Sequence, residues 1–310
     1  MARRRSTAEP SRNRPPPSAR NRPPPAAVQN LLLAALPPDD YQRIAATFDI
    51  IPLTLKEMLY KPGEALRHVY FPGGGFCSVV TVLQDGSMVE VATIGREGML
   101  GVAAVMDGGP AASAAMVQAE ADTCYRMTAD AFRREMERRG PFYKLLTHYS
   151  QALVGVVMQS TACNAVHSVE QRLARWLLMA QDRVGKNDFP LTQEFVAMML
   201  GATRPTVTIV AGTLQRAGLI TYHRGHVTIV DREALENASC ECYQAASDLL
   251  RGVMLQRYSV AAYFRPGRTP GVFIRILKRC VQAVMYNPRL SASPKATFVA
   301  HTRGLGSPAG

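Results

Sequence analysis

Arg204, Arg216 and Arg224 follow one another with no acidic residue between them, in a stretch rich in residues that cap and turn helices. A guanidinium is a planar fork of donors that fits the two acceptors of guanine, or a phosphate. Thr192 can cap a short helix over 193–200. Gly201-Ala202-Thr203 can make a turn, and Thr203 can cap a second helix from 204 to about 217. The spacing predicts a helix-turn-helix. At 100° per residue, Val207, Val210, Ala211 and Leu214 fall on an inward face, and Pro205, Thr208, Ile209, Gly212 and Arg216 point outward. Arg204 lies in the first turn, where such helices meet base edges, and Arg216 lies three turns later, where a phosphate is the expected partner. Thr203, Thr206, Thr208 and Ile209 complete the candidate DNA-binding set, with Ile209 suited to a thymine methyl. Residues 218–230 read as strand, Arg224-Gly225 turn and strand, a wing that carries Arg224. The competing reading is a small helical triplet that mediates protein contacts.

The elements that must position this unit lie upstream. Between 50 and about 127, short apolar runs are separated by turn signals such as 61–64, 72–75 and 108–110, a spacing that predicts an all-β barrel or sandwich. The clearest hairpin is 79–83 with 88–94, joined through Asp85-Gly86. From 142 the period changes to that of a helix. Leu146, Tyr149, Leu153, Val156, Ser160 and Cys163 recur in 3-4 steps, which suits a parallel dimer seam or a helix packed on its own barrel; the dimer seam is the preferred expectation. A further helix opens on a Ser168/Gln171 capping box and closes near Gly185, with Val169, Leu173, Trp176, Leu177, Ala180 and Val184 on one expected buried face. The expected fold class is therefore α+β: a jelly-roll-like N-terminal β-barrel sensor domain, a long dimerisation helix and a C-terminal winged helix-turn-helix. The expected bounds are a disordered Arg/Pro-rich tail at 1–27, the barrel at 28–139, the dimerisation helix at 140–166, the DNA-binding domain at 167–240 and a basic extension at 241–310.

Charge is concentrated at the ends of the 310-residue chain, whose formal net charge is +12. Residues 1–27 carry seven arginines against Glu9, and 251–310 carry ten basic residues and no acid. The DNA-binding expectation therefore rests on the motif, and the tails are expected to add non-specific affinity for phosphate. A basic amphipathic helix is expected around 273–284. Cys77, Cys124, Cys163, Cys240, Cys242 and Cys280 show no Cys-x-x-Cys pair and no evident Cys/His tetrad, so neither structural zinc nor any other cofactor is expected. No apolar run approaches the roughly 20 residues that cross a bilayer, and a soluble cytoplasmic protein is expected. With no phosphate loop, Ser-His-Asp order or metal-spaced histidine pair visible, catalysis is not expected.

Barrel, long helix and winged helix, in that order, resemble the Crp/Fnr superfamily of transcription regulators over roughly residues 30–245. The likeness is strongest in Leu-Thr-Gln-Glu-Phe-Val-Ala-Met-Met-Leu-Gly-Ala-Thr-Arg-Pro-Thr-Val, residues 191–207, similar to that family's reading motif, whose arginine after the turn contacts guanine; here it is Arg204. The cyclic-AMP-binding members place an arginine where this chain has Ile209 and a glutamate where it has Pro205, which implies a different operator. Those members also carry Gly-Glu-Leu and then Arg-Ser to grip ribose and phosphate. Here the effector pocket would hold Gly101, Val102, Ser113 and Ala114, and a phosphate without its arginine would be a costly unpaired charge. The resemblance thus implies a regulator that does not respond to cyclic AMP. The oxygen-sensing members bind an iron-sulfur cluster on N-terminal cysteines, and no cysteine precedes Cys77. The expected partners are double-stranded DNA at a palindromic operator and a second copy of the chain, with RNA polymerase a candidate. The alternative is a ligand-sensing or protein-interaction module with a relic helix-turn-helix.

Overall fold

The structure, a computed structural model, describes residues 28–102 and 109–255. The 1–27 tail, the 273–284 segment and Cys280 lie outside the described residues. Two antiparallel sheets build the N-terminal domain. Strands β1 (Phe48–Leu53), β7 (Ala121–Thr128) and β3 (His68–Pro72) run in the order β1-β7-β3; β2 (Met58–Tyr60), β6 (Ala114–Ala119), β4 (Phe76–Val82) and β5 (Met88–Ile94) run β2-β6-β4-β5. Alternating side chains from the two sheets, among them Leu53, Cys77, Ile94, Val117 and Cys124, fill the space between them, which is the expected jelly-roll-like barrel. The predicted hairpin is β4-β5, with Val82 opposite Met88 and Gly86 at φ +81° in its turn. Two short helices, α1 (Leu31–Ala34) and α2 (Pro38–Ala45), precede the sheets, and α3 (Ala129–Glu137) follows them.

Helix α4 (Pro141–Val166) is the long helix, and it is apolar on more than one side because it has more than one neighbour. Leu146 and Tyr149 enter a core with Phe71, Met99 and Phe132, and the Tyr149 hydroxyl donates to the Met99 carbonyl at 3.2 Å. On another side lies α9 (Cys242–Met254), whose Ala246 and Leu249 pack on Val156. Gly155 makes that approach possible: a Cβ there would sit 3.1 Å from a Leu249 methyl. The 3-4 rhythm expected to form a dimer seam is thus used within the chain. Leu146, Tyr149, Val156 and Cys163 are buried, and Leu153 and Ser160 half-buried. Periodicity reported that the face has a partner but not which chain supplies it. A different stripe remains open: Gln151, Val154, Met158, Thr161 and Ala165 also recur in 3-4 steps, with Val154 42% and Met158 67% exposed.

Helix α5 (Val169–Val184) has the predicted ends. Ser168 and Gln171 close the capping box, and Gly185 ends the helix at φ +70°. Its burial differs from the single expected face. Arg175, Gln181 and Arg183 are also buried, while Val169 and Val184 are only half-buried. The cause is that α5 is wedged between the barrel and the C-terminal head. Phe76 of the barrel meets Trp176 edge-on with centroids 5.9 Å apart, and Trp176 meets Phe195 of the head at 5.7 Å. Arg183 reaches into the barrel, 2.7 Å from the Glu97 carboxylate and 3.0 Å from the Thr93 carbonyl. The head itself comprises β8 (Asp188–Pro190), α6 (Gln193–Leu200), α7 (Arg204–Arg216), β9 (Ile220–His223), β10 (His226–Ile229) and α8 (Arg232–Ala238), with its sheet in the order β8-β10-β9.

One buried carboxylate joins the two halves. Glu90 of β5 accepts from the Trp176 indole at 2.9 Å, from Thr93 at 2.9 Å and from the Ser78 hydroxyl. Burial raises its pKa despite these three donors. A raised folded value means the native state favours the protonated acid. Stability from this group is therefore present at low pH and is lost as pH rises from the unfolded value near about 4.3 through the folded one. Glu90→Ala is expected to cost at least about 1–3 kcal/mol, because it strands buried donors. Glu90→Gln should stay close to wild type and flatten the pH dependence of the melting temperature. Thermal unfolding of the three proteins across the acidic range checks this, and an unaltered slope in Glu90→Gln refutes it.

Candidate nucleic-acid interface and effector pocket

The reading unit folds as its local sequence dictates. Thr192 accepts from the Phe195 amide at 3.3 Å to start α6, and Gly201 ends it at φ +56°. Thr203 then starts α7, accepting from the Thr206 amide at 3.4 Å. Val207, Ala211 and Leu214 are buried and Val210 half-buried, the face expected to be inward. Arg204, Pro205, Thr208, Ile209 and Arg216 are exposed, and Ile209 is 67% exposed, an isolated apolar side chain on an otherwise polar face. Thr203 is exposed and Thr206 half-buried, with their hydroxyls 2.9 Å apart. Thr208 donates to the Gln193 side chain at 2.9 Å, and Arg216 to the Thr213 hydroxyl at 3.2 Å.

The wing is the expected strand pair, with Tyr222 opposite Val227 across β9 and β10. Its turn puts both Arg224, at φ +48°, and Gly225, at φ +79°, in the left-handed region. Such a turn suits the twist of a hairpin, but it strains a residue other than glycine by about 1–2 kcal/mol. Between the wing and the start of α7 lies an open cleft of about 550 Å³, lined among others by Glu194, Arg204, Tyr222 and Arg224. Arg204 and Arg224 therefore share one concave surface.

Sequence reasoning missed the partner of Arg204. Glu194, exposed on the first turn of α6, forms an ion pair with it. The turn between the helices brings residues ten apart into contact, a distance no helical spacing reports. The pair is open to water on both sides and correspondingly weak. It also missed Tyr222, whose hydroxyl donates to the Leu191 carbonyl at 2.7 Å and so ties the wing to the start of the motif.

In the barrel, the four candidate effector residues do not converge. Gly101, at φ +90°, and Ser113 both lie near the hydroxyl of the half-buried Tyr60. Burial pushes that phenol up to about 12, so it stays neutral. Ala114 turns instead into the core shared with the head, beside Phe76 and Val80, and Val102 packs toward the core around Phe71. No sequence pattern marked Tyr60, which comes from a three-residue strand far from Gly101 and Ser113 in the chain.

A β-sandwich, a long helix and a winged helix-turn-helix with an exposed reading face define a transcription regulator built from an effector-type domain and a DNA-binding head. The profile described as a cyclic nucleotide-binding domain matches residues 51–139, and that of a Crp-like helix-turn-helix domain matches 171–238. The chain belongs to the Crp/Fnr superfamily and is a Crp-like transcription regulator. Solved structures share the fold. A Crp/Fnr-family transcriptional regulator from Eubacterium rectale is 19% identical, with 67% of this chain and 96% of that one covered at a TM-score of 0.54. FixK2 from Bradyrhizobium japonicum is 16% identical, with 62% and 98% covered at 0.53. A CRP-family transcriptional regulator from Thermus thermophilus is 22% identical, with 61% and 95% covered at 0.51. No curated protein matches the chain significantly. Regulators of this family bind DNA and are typically dimeric. Among the described residues no single helix is long and apolar enough to cross a membrane.

With no arginine at 113 or 114, none of the four candidate residues can compensate a cyclic phosphate. Calorimetric titration with cyclic AMP is expected to show no micromolar binding. A saturable heat in that range overturns this reading of the pocket.

Proposed function

We propose that the protein is a cytoplasmic, homodimeric regulator that reads a palindromic DNA operator with Arg204 and responds to a signal other than cyclic AMP. The observation that carries this reading is the placement of Arg204 in the first turn of α7. It sits at the mouth of the cleft, held only by a water-exposed carboxylate that a base edge can displace. A guanine presents two acceptors to such a fork, and Ile209, one turn on, suits a thymine methyl. Arg216 and Arg224 stand where the phosphate backbone flanks the groove. RNA polymerase is a further candidate partner. The exposed cationic and apolar mixture on α7 favours this reading over a relic module, whose outer face would have no reason to keep Arg204 and a strained Arg224 on one surface.

Dimerisation in this reading uses the open stripe of α4, with Val154 and Met158 at its centre. Two such helices place the recognition helices about 34 Å apart, one turn of DNA. Met158→Glu is expected to give a folded monomer that loses operator binding. Leu153→Glu, whose side chain packs inward, should instead lower the melting temperature. Light scattering that still reports a Met158→Glu dimer places the interface elsewhere.

Arg204→Ala is expected to cost about 1–3 kcal/mol at the operator and to relax the preference at one base pair of each half-site. Arg216→Ala should weaken operator and random DNA by similar factors, with a salt slope shallower by about one unit per contact. Binding measured against a panel of operator variants checks the contrast. Equal weakening of every sequence by Arg204→Ala rejects base reading and favours the relic module.

A further inference from the structure

Four residues scattered in the sequence meet at the junction of the long helix and the head. Cys163 lies in the last turn of α4 and His167 caps that helix, so both project from one end of it. Cys240 and Cys242 lie in the connection that leaves α8 and starts α9. The three Sγ atoms and one imidazole nitrogen all lie within 4.8 Å of one another, and the three cysteines are buried. Cys163 and Cys240 have their sulfurs 3.5 Å apart, and His167 Nδ1 is 3.5 Å from Cys242 Sγ. The expectation of no Cys/His tetrad is corrected here: two short-range pairs, neither a metal motif alone, are joined by the fold.

We propose that Cys163, His167, Cys240 and Cys242 form a tetrahedral site for a thiophilic divalent metal, zinc above all, which clamps the hinge between the long helix and the DNA-binding head.

The geometry fits a single ion. Zinc–sulfur bonds of about 2.3 Å in a tetrahedron put neighbouring sulfurs about 3.8 Å apart, close to the spacing present. A donor set of three sulfurs and one imidazole selects soft or borderline metals over magnesium or calcium. The surroundings are those of a metal site as well. The far nitrogen of His167, Nε2, faces the Glu241 carboxylate at 3.3 Å, which leaves Nδ1 to bind the ion and the ring oriented by a carboxylate. Gln159 donates to Cys242 Sγ at 3.0 Å. On binding, the thiols release their protons to solvent. Three thiolates around a dication leave one net negative charge. Arg172 and Arg175 stand close enough to feel the cluster's field, and each has a buried Nε–H with no partner.

The location gives the site a consequence. His167 is followed directly by Ser168, the cap of α5, so an ion there ties the joint between α4 and α5 to the connection between α8 and α9. Metal loss would free that joint.

The test uses full-length protein, reduced and stripped of metal, then reconstituted with zinc or cobalt(II). About one ion per chain is expected, and removal by a chelator should lower the melting temperature because only the folded state assembles the ligands. Cobalt(II) should give the intense visible bands of tetrahedral coordination with thiolate charge transfer. Cys240→Ser should diminish the charge-transfer band. His167→Gln, which leaves all three sulfurs in place, should alter the visible bands and weaken retention against chelator. Weak octahedral-type absorption without charge transfer overturns the proposal, as does an unchanged spectrum in both variants, which places the metal elsewhere. A Cys163–Cys240 disulfide that forms in metal-replete protein on exposure to air also overturns it. None of these readouts requires knowledge of the operator.

Discussion

The buried carboxylate of Glu90, shared among Ser78, Thr93 and the Trp176 indole, is the contact on which the arrangement of the two halves depends. A carboxyl group taken out of water is costly unless its oxygens are satisfied, so it accepts partners from wherever the fold can bring them. Here one comes from the other half of the molecule. The chain's one tryptophan supplies the N–H and, with its ring, fills the gap between Phe76 and Phe195. Arg183 and Glu97 repeat the device a short distance away, with the guanidinium satisfied at two carbonyls besides the carboxylate. Both interactions are directional, which apolar packing is not, and so they set the orientation of α5 against the barrel as well as its proximity.

From that orientation the rest follows. With α5 pinned along both sides, the core of the head is continuous with residues of the barrel, and α7 is left on the outer surface with its polar face free. The long helix is divided among several claims. One side packs on the barrel, one takes α9, its end carries Cys163 and His167, and the stripe through Val154 and Met158 is exposed among the described residues. Any movement of the barrel against α5 must preserve or break the polar contacts at Glu90 and Glu97. Buried polar networks suit that role, because a partly satisfied intermediate is worse than either complete arrangement.

Among the candidate effector residues Gly101, Val102, Ser113 and Ala114 none is a cation, and a cyclic phosphate brings a charge that needs one. Tyr60, near Gly101 and Ser113, is a phenol kept neutral by burial.

The helix-turn-helix was legible residue by residue, because everything that defines it acts over a few positions. Thr192 and Thr203 cap the amides three residues on, Gly201 takes the left-handed turn, and the 3.6-residue period separates Val207 and Leu214 from Arg204 and Ile209. The Asp85-Gly86 hairpin and the Ser168/Gln171 box were legible for the same reason. What the tertiary structure alone decided are pairings across long stretches of chain. Tyr60 reaches Ser113, Glu90 reaches Trp176, and Cys163 and His167 meet Cys240 and Cys242. The long helix shows the limit most clearly. Its 3-4 rhythm at Leu146, Tyr149 and Val156 correctly reported a buried face, yet the partner proved to be the same chain. A hydrophobic period records that water is excluded from a face, and the free energy of that exclusion is the same whichever apolar surface does the excluding.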